Sequence, residues 1–374
     1  MKPQRSLQVT RGIIALAWIL PLFLCAFAEG QESAPFDSNE VHPDGTITFR
    51  YKDPAAGKVL LELSGQPKPL PMQKDSDGLW SVVSSPLSPE LYEYSFQVDE
   101  RTQFDPKNPT VVPNLLYPSN LVAVGGSTPQ PWDVRNVPHG IVHHHFYTSA
   151  VVAGLVEGQS DFYVYTPPGY DPKRPKPYPV LYLLHGWSDL ANAWTEVGKA
   201  NFIFDNLLAE GRIQPMLVVM PFGYGDMRFV RNGDGVWDDD AAINRNVSQF
   251  SRALLSEILP GVESTYHVSK KRNDRAITGL SMGGLESLTI GLTHTDQFAW
   301  VGGFSSAAGN LGKGPATCQS QRQNRRPAAA VDCLRNGGRP HLTQSQFYCM
   351  APIQEHFIDR HRNSGHAHMD GVAG

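Results

Sequence analysis

Residues Gly279 to Gly284 read Gly-Leu-Ser-Met-Gly-Gly and follow directly on the apolar run Ala276-Ile277-Thr278. No other feature of the chain restricts its fold so narrowly. The order predicts a strand that ends, a sharp turn that carries Ser281, and a helix starting at about Gly283 with Leu285, Leu288 and Leu292 on one face. A turn this tight forces the serine into a strained backbone conformation, so its neighbours must be small. The strain leaves a hydroxyl exposed at the head of a helix. There the dipole and the free N–H groups favour developing negative charge. A structural turn serine is the bland alternative, but it does not explain the strand before the turn and the helix after it.

The surrounding pattern agrees with a strand-turn-helix corner. Tyr178 to Leu184 reads as a buried strand ending at His185-Gly186, and Phe202 to Ala209 as a helix. Met216 to Met220 is a second buried strand. Val247 to Leu259 is an amphipathic helix that should stop at Pro260-Gly261, and a last strand lies near Phe298 to Phe304. Strands alternating with helices predict a doubly wound α/β sheet over residues 136–310. Residues 36–124 look different. Thr46 to Tyr51, Val59 to Leu63 and Leu91 to Val98 alternate apolar and polar residues between clusters of Pro, Gly and Asp, which predicts a small all-β sandwich. Residues 125–135, opening with Gly125-Gly126-Ser127-Thr128-Pro129, read as a linker. A chain of 374 residues is long enough for both parts, and no internal repeat is visible.

Composition excludes some roles. Hydrophobic residues make up 41% and charged residues 18%, a globular balance, and the net charge of -4 argues against nucleic acid or a polybasic membrane contact. Residues 1–28 read as an export signal. Lys2, Arg5 and Arg11 precede the apolar stretch Ile13 to Phe27, and Ala26-Phe27-Ala28 offers a small-x-small cleavage site. The apolar run is short for a bilayer span, so no stable membrane span is expected after cleavage. A lipoprotein cleavage at Cys25 would need a small residue where Leu24 stands. This reading makes the protein secreted or periplasmic. Of four cysteines, one lies in the signal and Cys318, Cys333 and Cys349 lie in the tail, so the body of the exported chain needs no disulfide.

Three motifs in order carry a resemblance: Tyr163-Val164-Tyr165-Thr166-Pro167-Pro168-Gly169-Tyr170, Leu183-Leu184-His185-Gly186-Trp187, and the segment around Ser281. Together they make the stretch from about Pro138 to Asn310 resemble the esterase D-like branch of the α/β-hydrolases, which includes feruloyl and acetylxylan esterases, enterochelin esterases and mycolyltransferases. Asp77 to Val82 and Asp105 to Pro109 resemble the glycogen-binding-like early-set domain often fused in front of such enzymes. The resemblance implies an α/β-hydrolase fold preceded by that sandwich. It implies Ser281 as nucleophile, with the backbone N–H groups of Trp187 and Met282 as the oxyanion hole. It implies no metal and no organic cofactor. The implied partner is an acylated polysaccharide or oligosaccharide carrying feruloyl or acetyl esters. A siderophore esterase of the enterochelin type, or an acyltransferase, is the alternative within the family. A catalytically dead carbohydrate-binding scaffold is the alternative outside it.

After Asn310 the chain departs from that family's pattern, which expects a strand ending in an acid and then a loop with a histidine. Gln319 to Arg326 is rich in Gln and Arg, Pro327 to Val331 has no counterpart, and the tail offers no convincing final strands. Back-translating Pro327 to Arg339 and reading one nucleotide further on allows LLLLWIACGTED, an apolar strand ending in Gly-Thr-x-Asp. The same operation on Ser364 to Gly374 allows AGTHTWMAWR, a histidine motif of the family's type. Between them, Asn-Phe-Ile-Ala-Trp-Leu can be read from Gln346 to Pro352. Degenerate codons leave freedom of choice, but methionine has one codon, so Met350-Ala351 and Met369-Asp370 must each give tryptophan in the shifted frame. We therefore read residues 311–374 as an aberrant tail, frame-shifted between about Leu311 and Arg326. A genuine divergent extension is the alternative. On the frame-shift reading no catalytic acid or base is assignable. His341, His356, His361, His366, His368, Asp332, Asp359 and Asp370 remain in the chain, but no pattern sets them on strand ends. Loss of the final strands should leave one side of the sheet uncovered, with poor order after about residue 311 and low solubility.

Four further features have modest readings. His143-His144-His145 suggests a metal, but consecutive strand residues point to alternate faces and cannot easily share one ion. Asn232 to Asp240 is an acidic, Gly-rich loop without the spacing of a calcium site, read as solvated, though it follows a strand end and could overhang the serine. Trp80, Tyr92, Tyr94 and Phe96 could stack on sugar but more often fill a sandwich core. Asn246-Val247-Ser248 matches a glycosylation sequon at a helix start.

The frame-shift reading predicts that resequencing the locus will reveal a single-nucleotide slip within codons 311–326. An uninterrupted frame that reproduces the tail as written would overturn it.

Overall fold

The computed structural model describes residues 36–306 and the backbone of Ala329–Cys333. The signal read at residues 1–28 and the remainder of the tail, with its histidines and the slip interval, lie outside the described residues. Among the described residues no helix is long and apolar enough to cross a membrane.

Two antiparallel sheets form the first part, as the alternation predicts. One is ordered Asn39–Val41, Ile47–Lys52, Leu79–Val83, Gln73–Lys74. The other runs Leu70–Pro71, Val59–Leu63, Glu90–Val98, Ser119–Val124, Val111–Val112, with Arg101–Gln103 also on Glu90–Val98. Their inward residues share one core of Ile47, Phe49, Leu61, Trp80, Tyr94, Phe96 and Val122. Three of the four aromatics considered for sugar stacking are thus core residues, with Trp80 6%, Tyr94 1% and Phe96 0% exposed.

The second part is a seven-stranded sheet. Its strands in chain order are β1 (Ile141–Thr148), β2 (Gln159–Thr166), β3 (Val180–Leu184), β4 (Leu217–Pro221), β5 (Arg275–Gly279), β6 (Trp300–Phe304) and β7 (Ala329–Cys333), and they lie side by side as β1-β2-β4-β3-β5-β6-β7. Only β2 runs against the others: its pairings with β1 and β4 are antiparallel, and every pairing from β4 to β7 is parallel. Strands β3 to β6 are buried along their whole length, as a sheet covered on both faces requires. Alternate residues feed two cores. Leu181, Leu183, Val218, Met220 and Ala276 pack with Ile203 and Phe204 of α1 (Ala200–Ala209). Tyr182, Leu184, Val219 and Ile277 pack with Phe250 of α2 (Asp240–Ala253) and Leu288 of α3 (Met282–Thr293).

Three expectations need correction. The tail does supply one strand: β7 pairs with β6 in parallel from Trp300↔Ala329 to Phe304↔Cys333, so the outer edge of β6 is covered. The run Ala329-Ala330-Val331 is short, which hides it in a sequence rich in Gln and Arg, but five residues suffice to extend an existing ladder. Second, the long helix begins earlier, at Asp240, where the Asp239 side chain accepts from the N–H groups of Ala241 and Ala242. It also does not stop at Pro260. A wide π turn over Leu254–Ile258 leads into a helix over Leu259–Thr265, and Pro260 stands in that helix's first turn, where a missing N–H costs nothing. Third, the span 125–135 is not all linker, since Trp132 is buried in the core beneath β2 and β3.

The corner between β5 and α3 has the backbone the sequence demands. Ser281 adopts φ 52°, ψ -106°, a positive φ outside glycine territory. It is held there because α3 enters hard against the end of β3: a Cβ on Gly283 would lie 2.6 Å from the carbonyl oxygens of Leu184 and His185. A Cβ on Gly279 would lie 2.6 Å from Gly283's own carbonyl. Elsewhere a buried carboxylate joins the layers. Asp205 of α1, 2% exposed, accepts from Tyr165 Oη at 2.7 Å and the Gly140 N–H at 2.9 Å, and meets His139 Nδ1 at 2.8 Å.

Two stability predictions follow from these contacts. Asp205→Ala leaves a buried hydroxyl and a backbone N–H without partners and should lower unfolding free energy by about 2–4 kcal/mol in urea melts, with Tyr165→Phe costing less. At the corner, Ser281→Gly removes backbone strain worth about 1–3 kcal/mol and should melt higher than Ser281→Ala, the reverse of the usual order for this pair. A Ser281→Ala protein as stable as Ser281→Gly would mean the corner is unstrained.

Candidate active site

Ser281 is partly exposed, and its Oγ has no hydrogen-bond partner among the described residues. The backbone groups around it are nearly all committed. Leu280 N–H donates to the Leu184 carbonyl at 3.0 Å and Ser281 N–H to the Phe304 carbonyl at 2.8 Å. Gly283 N–H donates to the carbonyls of Leu280 and His185 at 2.8 and 3.1 Å. On the facing loop, Gly186 N–H donates to Asp189 Oδ2 at 3.1 Å, and the Gly186 carbonyl accepts from His185 Nδ1 at 2.8 Å and from Asp189 N–H at 3.3 Å. Among the described residues the N–H groups of Met282 and Trp187 have no partner, as is also true of Gly284 N–H in the first turn of α3, and Met282 and Trp187 belong to the two segments that Gly283 N–H ties together. Met282 is also the first residue of α3, where the helix end is electropositive.

His185 is a structural histidine. It is 1% exposed, Nδ1 donates to the Gly186 carbonyl, and Nε2 accepts from Gly223 N–H at 2.9 Å. That pair of bonds fixes the neutral Nδ1–H form, and burial pushes its pKa down to about 4. Its ring sets the plane of the Gly186–Trp187 peptide, so it orients the Trp187 N–H. Nearby, Glu286 of α3 is fully buried. Burial raises its pKa well above the usual carboxyl range. Its Oε1 accepts from Asn246 Nδ2 at 3.1 Å, while Oε2 is without a partner among the described residues. Asn246 Oδ1 in turn accepts from the N–H groups of Gly225 and Asp226 at 2.9 and 3.1 Å. This chain locks the loop after β4 to the helix behind Ser281. Asn246 is 0% exposed, so the acceptor side chain of the sequon is buried although Ser248 is exposed.

The acidic loop is solvated along its carboxylates, as read, since Asp234, Asp238, Asp239 and Asp240 are exposed, but its apolar residues anchor it as an ordered turn. Val236 is buried, Trp237 packs edge-on to Trp187 and Phe229 at 6.2 and 5.1 Å, and Trp187 Nε1 donates to the Phe229 carbonyl at 2.9 Å. Its place beside the loop of Trp187 comes from two tryptophans that sequence reasoning set apart. The histidine run behaves as alternation requires. His143 meets Thr166 Oγ1, His144 meets Asp161 and stacks on Tyr163, and His145 meets Tyr266 Oη, so they share no centre. Among the described residues no cluster could hold a metal ion. No histidine or carboxylate among them touches Ser281. The strand register does set the backbone of Asp332 opposite Gly303, next to the end of β6, so one of the tail acids stands near a strand end after all.

The profile of the Esterase family matches residues 155–342, just over half of the chain. The endo-1,4-beta-xylanase/feruloyl esterase of Xylanibacter ruminicola is 27% identical over 268 residues, 70% of this chain and 35% of that protein. The chain thus spans about a third of the length of that curated relative. Among solved structures, the CE1 ferulic acid esterase of Anaeromyces mucronatus without substrate is 26% identical, with 61% of this chain and 85% of that one covered at a TM-score of 0.48. The enterochelin esterase of Shigella flexneri covers 88% of this chain and 96% of its own at a TM-score of 0.57 and 14% identity, a likeness of fold. The profile match takes in both the Ser281 corner and the His185-Gly186-Trp187 loop, and the chain belongs to the Esterase family.

Proposed function

We propose that this protein is a secreted or periplasmic carboxylic ester hydrolase that removes feruloyl or acetyl groups from carbohydrate through Ser281. One observation carries the reading: a partly exposed serine at a strained corner, flanked by two segments in which the N–H groups of Trp187 and Met282 have no partner among the described residues. In the proposed reaction Ser281 Oγ attacks the ester carbonyl carbon. The carbonyl oxygen becomes an oxyanion that accepts from those two N–H groups, and collapse expels the sugar alkoxide, which takes up a proton. Water then attacks the acyl-enzyme by the same route, releasing the carboxylic acid and restoring Ser281. The substrate class rests on the feruloyl esterase relative. The carbohydrate-binding scaffold loses support because Trp80, Tyr94 and Phe96 are buried and cannot stack on a glycan.

The proton carriers belong to the tail on this reading, either in the frame as written or in the shifted frame. A chromogenic short-acyl ester and a feruloylated oligosaccharide should be hydrolysed by the chain as written or by its frame-corrected form. Ser281→Ala should reduce turnover by on the order of a thousandfold or more in whichever form is active. Hydrolysis that survives Ser281→Ala, or no hydrolysis by either form, would remove the assignment.

A further inference from the structure

The loop that presents Trp187 N–H is held from the other part of the molecule. Asn114, in the sandwich just after Val111–Val112, donates from Nδ2 to Asp189 Oδ1 at 3.0 Å. Its Oδ1 is occupied by the N–H groups of Leu116 and Tyr117, both at 2.9 Å, so the amide can present only its donor to Asp189. The next residue, Leu115, donates its N–H to the Ser188 carbonyl at 2.7 Å, giving a two-residue bridge between the segments. Asp189 passes the restraint on through Oδ2, which accepts from Gly186 N–H at 3.1 Å. Ser188 between them stands at φ 67°, a conformation that a non-glycine residue keeps only when its surroundings hold it. Further along the same segment, Leu116 packs in the cluster that contains Trp187 and Trp237, and Tyr117 Oη donates to Asp234 Oδ1 at 2.9 Å.

Burial, then the electrostatic influence of Glu93, push the Asp189 pKa up to about 7. Such a group is costly unless its hydrogen bonds are used. We propose that Asn114 and Asp189 are positioning residues for acyl transfer: the sandwich, through this pair, fixes the Gly186–Trp187 peptide so that its N–H faces the oxyanion at Ser281. The inference rests on the ester-hydrolase reading above. It makes the sandwich a structural component of the reaction centre, independent of any glycan it binds.

The test exploits the one-way order of the bonds. Asp189→Asn places an NH2 group against either Asn114 Nδ2 or Gly186 N–H, two donors facing each other. The swap Asn114→Asp with Asp189→Asn restores both bonds: Asn at 189 donates to Asp at 114 and still accepts from Gly186 N–H, while Asp at 114 keeps the bonds to Leu116 and Tyr117. With a short-acyl ester and the active form of the full chain, Asp189→Asn should lower kcat by roughly 10- to 100-fold with KM within about twofold, as expected for a misplaced group. The swap should recover most of that loss, the sign of direct coupling between the two positions. Unchanged kcat in Asp189→Asn would overturn the proposal. So would a swap that melts like the unsubstituted protein yet stays slow. If Asp189→Asn does not fold, the swap alone decides on the same criterion. No turnover by the unsubstituted chain in either frame is a different failure: it sinks the hydrolase reading, and the positioning role with it.

Discussion

The site depends on one close approach. The first turn of α3 lies so near the end of β3 that position 283 has no room for a side chain, and the Gly283 N–H is shared between the Leu280 and His185 carbonyls. That contact does three things at once. It closes the turn that forces Ser281 to positive φ, it brings the head of α3 to the serine, and it ties the corner to the loop that carries Trp187. Backbone meets backbone here, so the geometry is set by bond lengths and not by adjustable side chains. Backbone fixed in this way needs no reorganisation when charge develops, which is what the proposed acyl transfer requires.

Around that contact the protein places polar groups that cannot reorient. His185 uses both ring nitrogens, Asn246 uses its oxygen twice and its amide once, and Glu286 accepts from that amide while burial raises its pKa. Each is nearly or fully inaccessible, and each joins a loop end to an element of the sheet or to α3. In a low-dielectric interior such hydrogen-bonded chains favour one arrangement strongly, because an alternative strands further polar groups. The rigidity of the strand ends is therefore electrostatic as well as steric.

How far this was legible depends on sequence distance. The corner is read from six consecutive residues, and the buried strands from their continuous apolar runs. The Trp187 and Met282 donors follow from family likeness, and their N–H groups are without partners among the described residues. By contrast, Asn246 and Glu286 are forty residues apart and Asn114 and Asp189 seventy-five. No local pattern marks either pair, because their partners are chosen by the folded sheet. The long helix was misjudged at Pro260 because a proline is disruptive only where an N–H is needed, and a change of helical pitch just before it removes that need. β7 was missed because its apolar run is shorter than a self-sufficient strand and gains its stability from the ladder it joins.

The position of Asn246 carries a consequence for making the protein. An oligosaccharide on that nitrogen would replace the bond to Glu286 and would have to occupy a place with no solvent access. Attachment and native packing are mutually exclusive. A eukaryotic secretion host, which modifies nascent chains before they fold, would trap the molecules it glycosylates at this sequon in a form unable to close α2 against α3, whereas a bacterial host without that machinery leaves the side chain to find its place.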